Sequence, residues 1–135
     1  MRKYSYIMIG GALGAMLRLA VKNISIGQYQ GSFPLNTLII NITGSFVLAF
    51  FLTMTLEFFE FDADVRLGIS TGFLGAYTTF STLCRESVLL FAGGQYVAAT
   101  VYLAASVVLG LAAAYLGVVV SRGAAGKLTD RGEIG

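Results

Sequence analysis

Four apolar stretches, near residues 4–21, 34–56, 67–91 and 96–120, fill most of this chain of 135 residues and decide what it can become. A helix needs about 20 apolar residues to cross a bilayer, and the clean stretches are long enough to do so. Charge is correspondingly scarce. Asp, Glu, Lys and Arg make up 12% of the residues, where a soluble domain carries about 25%. The expected fold is an all-α membrane protein, with four transmembrane helices in residues 1–121 and a loosely ordered polar tail over 122–135. Arg2 and Lys3 ahead of the first apolar run look like the start of a signal peptide, but three further spans make that run the first transmembrane helix.

Lys and Arg set orientation. With four spans, the N-terminus, an acidic connector at 57–66 that reads as a solvated loop, and the C-terminus share one side. That side carries Arg2, Lys3, Arg66, Arg122, Lys127 and Arg131, while the other carries Arg18 and Lys22. The modest bias places both termini inside.

The third stretch departs from a plain span. Its segment GISTGFLGAYTTFSTLCRE, residues 68–86, brings glycines, hydroxyls and the Arg85–Glu86 pair into hydrophobic company. Non-helical backbone is tolerated at membrane depth only where it is buried in protein or lines a wet cavity. Glycine and β-branched residues weaken a helix, so an interruption is expected over residues 72–79, with Phe80 directly after it. A break leaves orphan carbonyls on one half-helix and orphan N–H groups on the next. Carbonyls gathered in this way can hold a bare cation. Arg85 and Glu86 then neutralise each other or approach the water boundary.

The other helices supply polar company. Gly10 and Gly14 form a GxxxG pair that permits close helix packing, and Gly68 and Gly72 form a second such pair. Arg18, near the end of the first span, either snorkels to the headgroups or sits in an aqueous vestibule that attracts anions. A polar connector at 23–33 leads to Pro34, suited to the first turn of the second helix. Thr37, Asn41 and Ser45 share one face of that helix. An asparagine deep in a span bonds to another helix or lines a pathway. Tyr102 and Ser106 begin a stripe on the last helix that Gly110 and Ala114 continue.

Several function classes are excluded. With one cysteine and no histidine there is no intrachain disulfide, no Cys/His metal cluster and no histidine relay. A net charge of +2 gives no basis for binding nucleic acid. No nucleophile–base pair is present, and Glu86 is the only carboxylate placed within a span, so the chain is not expected to be an enzyme. A passive pathway fits better. Hydroxyls and amides of Thr37, Asn41, Thr79, Tyr102 and Ser106 can converge on one file, and donors suit an anion. Positive ring edges of aromatic residues add to them, and weak, multiple sites permit conduction.

Three segments together carry a resemblance: GGALGAMLR at 10–18, NTLIINITGSF at 36–46 and GFLGAYTTFST at 72–82. In order and spacing they resemble the signature regions of the Fluc (CrcB) fluoride channels, over essentially all four helices. The resemblance implies an antiparallel dimer in a prokaryotic cell membrane that passes fluoride passively out of the cytoplasm. It implies a structural Na+ at the dimer centre, held by backbone carbonyls matching Gly75 and Thr78. Phe80 matches the first pore phenylalanine and Asn41 the pathway amide. Tyr102 and Ser106 match the start of the hydroxyl track, and Arg18 matches the vestibule arginine.

The chain departs from that pattern at Leu83, where a second pore phenylalanine is usual, at Gly110 and Ala114, where hydroxyls are usual, and at Ala76, which replaces a glycine. These gaps and the charge bias leave open an obligate pair of unlike subunits, or a non-conducting subunit beside a functional partner. A small multidrug or guanidinium exporter is the rival of another class, but it needs a carboxylate in the first helix, and residues 4–21 have none.

Overall fold

A computed structural model of the chain describes residues 1–24 and 33–132, the last six of them as backbone only. Most of the connector expected at 23–33 and the final three residues of the tail lie outside the described residues. All regular structure among the described residues is helical. Helix α1 spans Arg2–Lys22. Helix α2 spans Leu35–Thr53 and runs on through a π-helical turn at Met54–Phe58. The third segment is composite: α3 at Ala63–Leu67, a π-helical stretch at Gly68–Leu74, α4 at Gly75–Tyr77, and α5 at Phe80–Ala92. Helix α6 spans Tyr96–Gly132.

Three helices are long and apolar enough to cross a membrane, Arg2–Lys22, Leu35–Phe58 and Tyr96–Gly126. The third segment, divided into shorter pieces, supplies none of these three. Just 11% of the apolar window is buried in α1 and in α6, so most of their apolar surface points outward, as it does where lipid or another chain is the solvent.

Glycines decide how the pieces pack. A Cβ on Gly10 would overlap the Gly68 carbonyl, and one on Gly14 would overlap the Phe73 carbonyl. Gly72 faces the Ile7 backbone in the same way. The two GxxxG pairs therefore meet each other within the chain, bringing α1 backbone to backbone against the π-helical stretch. Gly117 plays the same part between α6 and α2, where it faces the backbone of Phe46 and Phe50. Helices α5 and α6 form a hairpin around Gly94, at φ 74°. The Gln95 N–H donates to the Leu90 carbonyl and the Gly94 N–H to that of Phe91, which closes the exposed end of α5 in a Schellman motif. Leu38, Leu83, Leu90, Ala99 and Tyr102 form the core between α2, α5 and α6.

Three expectations change. The interruption is narrower than residues 72–79. Gly75 keeps helical angles, and only Thr78 (φ −72°, ψ 159°) and Thr79 (φ −149°, ψ 115°) are extended. Gly68 and Gly72 are used for packing against α1, and the two β-branched threonines take the break. The polar tail is not loose from residue 122, because α6 continues to Gly132. No proline interrupts it, and Arg122 Nη2 and Nε bind Glu57 at 2.7 and 2.9 Å, tying this turn to the end of α2. The 57–66 connector is also more than a solvated loop. Asp62 caps α3 through the N–H groups of Asp64 and Val65, at 2.9 and 3.2 Å, and Arg2 pairs with Asp62 and Asp64.

Candidate functional site

The break is built from both sides. Helix α2 presents Gly44, where a Cβ would collide with the Thr78 methyl; glycine there lets the extended residues nest against the helix. One turn away, Asn41 clamps the backbone of Thr79. Its Oδ1 accepts from the Thr79 N–H at 2.8 Å and its Nδ2 donates to the Thr79 carbonyl at 3.1 Å. In an unbroken helix that N–H would bond to the Gly75 carbonyl. Asn41 diverts it, and the Gly75 carbonyl loses its helical partner. Thr79 then starts α5, accepting from the Thr82 N–H through Oγ1 at 3.2 Å, as a threonine N-cap does. Arg18 reaches the same break, with Nη1 3.5 Å from the Thr78 carbonyl.

Below the break lies a second cluster around Glu86. Thr37 Oγ1 donates to its Oε1 at 3.0 Å, and Tyr102 Oη donates to its Oε2 at 2.8 Å. Lys22 Nζ lies 3.8 Å from Oε1. Tyr102 is fully buried, its ring edge-on to Phe33 at 5.5 Å. Arg85 is exposed and joins no ion pair among the described residues, so of the two readings of the Arg85–Glu86 pair mutual neutralisation does not occur, and Glu86 takes its contacts from α1, α2 and α6. Leu83, Glu86, Ser87 and Leu90 lie on one helical face, three of them buried. That register was the signal in the sequence that Glu86 points inward.

A cavity of about 400 Å³ joins the two clusters, lined in part by Arg18, Lys22, Thr37, Thr79, Ser81 and Thr82. Among the described residues its polar side chains are two cations and hydroxyls, with no carboxylate. The structure thus brings together Arg18, Thr37 and Thr79 at one cavity, with Asn41 behind Thr79 and Tyr102 behind Glu86. Ser106 is spent within its helix, its Oγ donating to the Tyr102 carbonyl at 2.7 Å. Phe80 stands apart. It opens α5, is 76% exposed and lines no wall of this cavity. Gly75 is exposed too. Leu83 is buried in the core and Gly110 sits near Ser45, 3.9 Å from where its Cβ would be. Lys22 and Glu86 are the functional candidates that sequence reasoning passed over.

Residues 5–118 match the family described as CrcB-like protein, Camphor Resistance (CrcB). This chain belongs to the CrcB-like family. Among its curated relatives, fluoride-specific ion channel FluC 1 of Staphylococcus aureus (strain NCTC 8325 / PS 47) is 42% identical over 116 residues, covering 86% of this chain and 93% of that protein. Fluoride-specific ion channel FluC of Methylococcus capsulatus is 43% identical over 86% of this chain and 51% of its own length. That of Rhizobium etli is 37% identical, over 86% and 93%. These CrcB-like relatives are named as channels and not as enzymes.

Proposed function

We propose that this chain is a subunit of a fluoride channel that lets fluoride leave the cytoplasm of a prokaryote down its gradient. The observation that carries the reading is the cavity: a broken helix, held open by Asn41, faces a space walled by Arg18, Lys22 and hydroxyls. A small hard anion loses a large hydration energy on entering, so donors must replace water. Arg18 raises the local anion concentration. The hydroxyls then exchange partners. Each carries one proton, and those of Thr37 and Tyr102 are given to Glu86 in this state. Passing fluoride therefore requires them to turn from Glu86 to the ion and back. The names of the relatives support fluoride as that ion.

The working unit proposed is an antiparallel dimer in the cell membrane. The outward stance of Phe80 and Gly75 beside the break supports it, since both are open to a second subunit. In such a dimer the Gly75 and Thr78 carbonyls are the groups that would hold a structural Na+. The residues fit that ion. The Gly75 carbonyl has lost its helical donor to Asn41, and the Thr78 carbonyl keeps a lone pair beyond the contact with Arg18. The ion would supply a fixed positive charge at the centre.

Purified chain reconstituted alone into liposomes tests the proposal. The expected result is fluoride efflux without matching chloride efflux, abolished by Phe80→Ile in a protein that still assembles. Absence of efflux from the single chain, with recovery on adding an unlike CrcB-like subunit, would replace the homodimer by a mixed pair. An unchanged rate in Phe80→Ile would remove that ring from the route.

A further inference from the structure

The cluster that an anion must pass contains a carboxylate. Glu86 is held by Thr37 and Tyr102 with its side chain only 18% exposed. Left uncompensated, it would repel an anion arriving from the cavity. Arg18 does not answer it, since among the described residues it bonds to the Thr78 carbonyl and forms no ion pair with Glu86. Arg85 is exposed and unpaired among the described residues. Lys22 is the one cation within 4.0 Å of Glu86 among the described residues, at 3.8 Å.

Its placement is built in. Lys22 ends α1, where a snorkelling lysine would be free to reach water. Asn36 Nδ2 donates to the Lys22 carbonyl at 2.8 Å and to the Ile24 carbonyl at 3.1 Å, which fixes the backbone from which the partly exposed Lys22 side chain reaches Glu86. This ties the end of α1 to the first turn of α2, one residue before Thr37, which itself holds Glu86. Lys22 also lines the cavity beside Arg18 and Thr37. One short stretch of α2 therefore sets both partners of the ion pair.

We propose that Lys22 is a positioning residue of the anion route, one that pairs with Glu86 and offsets its charge so that the carboxylate can hold the two hydroxyls without turning the anion back. The role rests on the reading of the cavity as a fluoride path. A charge in a cleft with low-dielectric walls changes local ion concentration and entry by about tenfold or more. It follows that Lys22→Met should slow fluoride efflux from liposomes about tenfold, while Lys22→Arg stays within about twofold, because charge and reach are kept.

Charge is separated from fold by chemistry on the assembled protein. Lys22→Cys is placed in a Cys84→Ala background, because Cys84 is exposed and would react as well. After reconstitution, a cationic aminoethyl thiosulfonate should restore efflux, and a neutral methyl thiosulfonate should not. Restoration by both reagents, or a wild-type rate in Lys22→Met, would overturn the role. A wild-type chain that passes no fluoride would overturn the channel reading and this role with it. A conducting wild type indifferent to Lys22 overturns the role alone.

Discussion

Replacing Asn41 by leucine keeps the volume and removes both bonds to Thr79, so it isolates the clamp. Thr79 is 6% exposed, so its N–H and carbonyl would lose their partners with little access to water. Leaving buried polar groups unmade costs about 1–3 kcal/mol each in soluble proteins, whereas interhelical bonds in membranes average about 0.6 kcal/mol. Two bonds thus bracket the loss between roughly 1 and 6 kcal/mol. The geometry argues for the low end. Once Asn41 is gone, the Thr79 N–H is free to close onto the Gly75 carbonyl, its natural i−4 acceptor, and extend α4 through the break. The expected outcome is a modest destabilisation of about 1–2 kcal/mol together with loss of fluoride efflux, because the straightened helix consumes the Gly75 carbonyl and moves the start of α5. Unfolding in detergent measures the first, liposome efflux the second, and hydrogen exchange at the Thr79 amide reports the new helical bond. Asn41→Asp is the control. It keeps the acceptor for the Thr79 N–H and loses the donor. Wild-type efflux and stability in Asn41→Leu would refute the claim that this side chain makes the break.

Three further outcomes follow from the same geometry. Tyr102→Phe keeps the ring against Phe33 and removes one donor to Glu86, so it should cost about 1–3 kcal/mol of stability and slow efflux in a folded protein. Gly14→Ala should destabilise by about 1–3 kcal/mol in detergent unfolding, because its methyl meets the rigid Phe73 backbone, while Gly11→Ala, with its nearest neighbour 4.0 Å away, should be neutral. Asp62 sits below the usual carboxylate range, chiefly because the Val65 N–H donates to it, then that of Asp64, with Arg2 adding its charge. Its cap on α3 is thus complete above the unfolded value of about 3.9 and is lost as pH falls through the lower folded value. A carboxyl NMR titration reads this directly, and Asp62→Asn should abolish the pH dependence while keeping the cap.

Where reading the chain alone stopped short, pairing was the reason. Glu86 lies beside Arg85 in sequence and shares a buried face with Leu83 and Leu90, and only the second of these facts mattered. A side chain on α5 points where its helical register sends it, so its partners came from residues 22, 37 and 102 and not from its neighbour. The glycines show the same limit. Gly68 and Gly72 read as a close-approach pair and make that contact with α1, but Gly72 and Gly75 also read as helix weakeners, and the break falls instead at Thr78 and Thr79; whether a glycine breaks a helix or packs one depends on what stands opposite it.

The sequence by itself determined the class of the protein, the composite third helix and the set of candidate donors. Hydropathy and glycine spacing act over one or two helical turns and need no partner to be read. The tertiary structure alone decided that the break is confined to Thr78 and Thr79, that Asn41 holds it by both edges, and that Lys22, Thr37 and Tyr102 meet on Glu86. Each of these depends on which helix lies opposite and at what height. In a bundle packed through glycine contacts, that is settled by backbone approach between residues many positions apart.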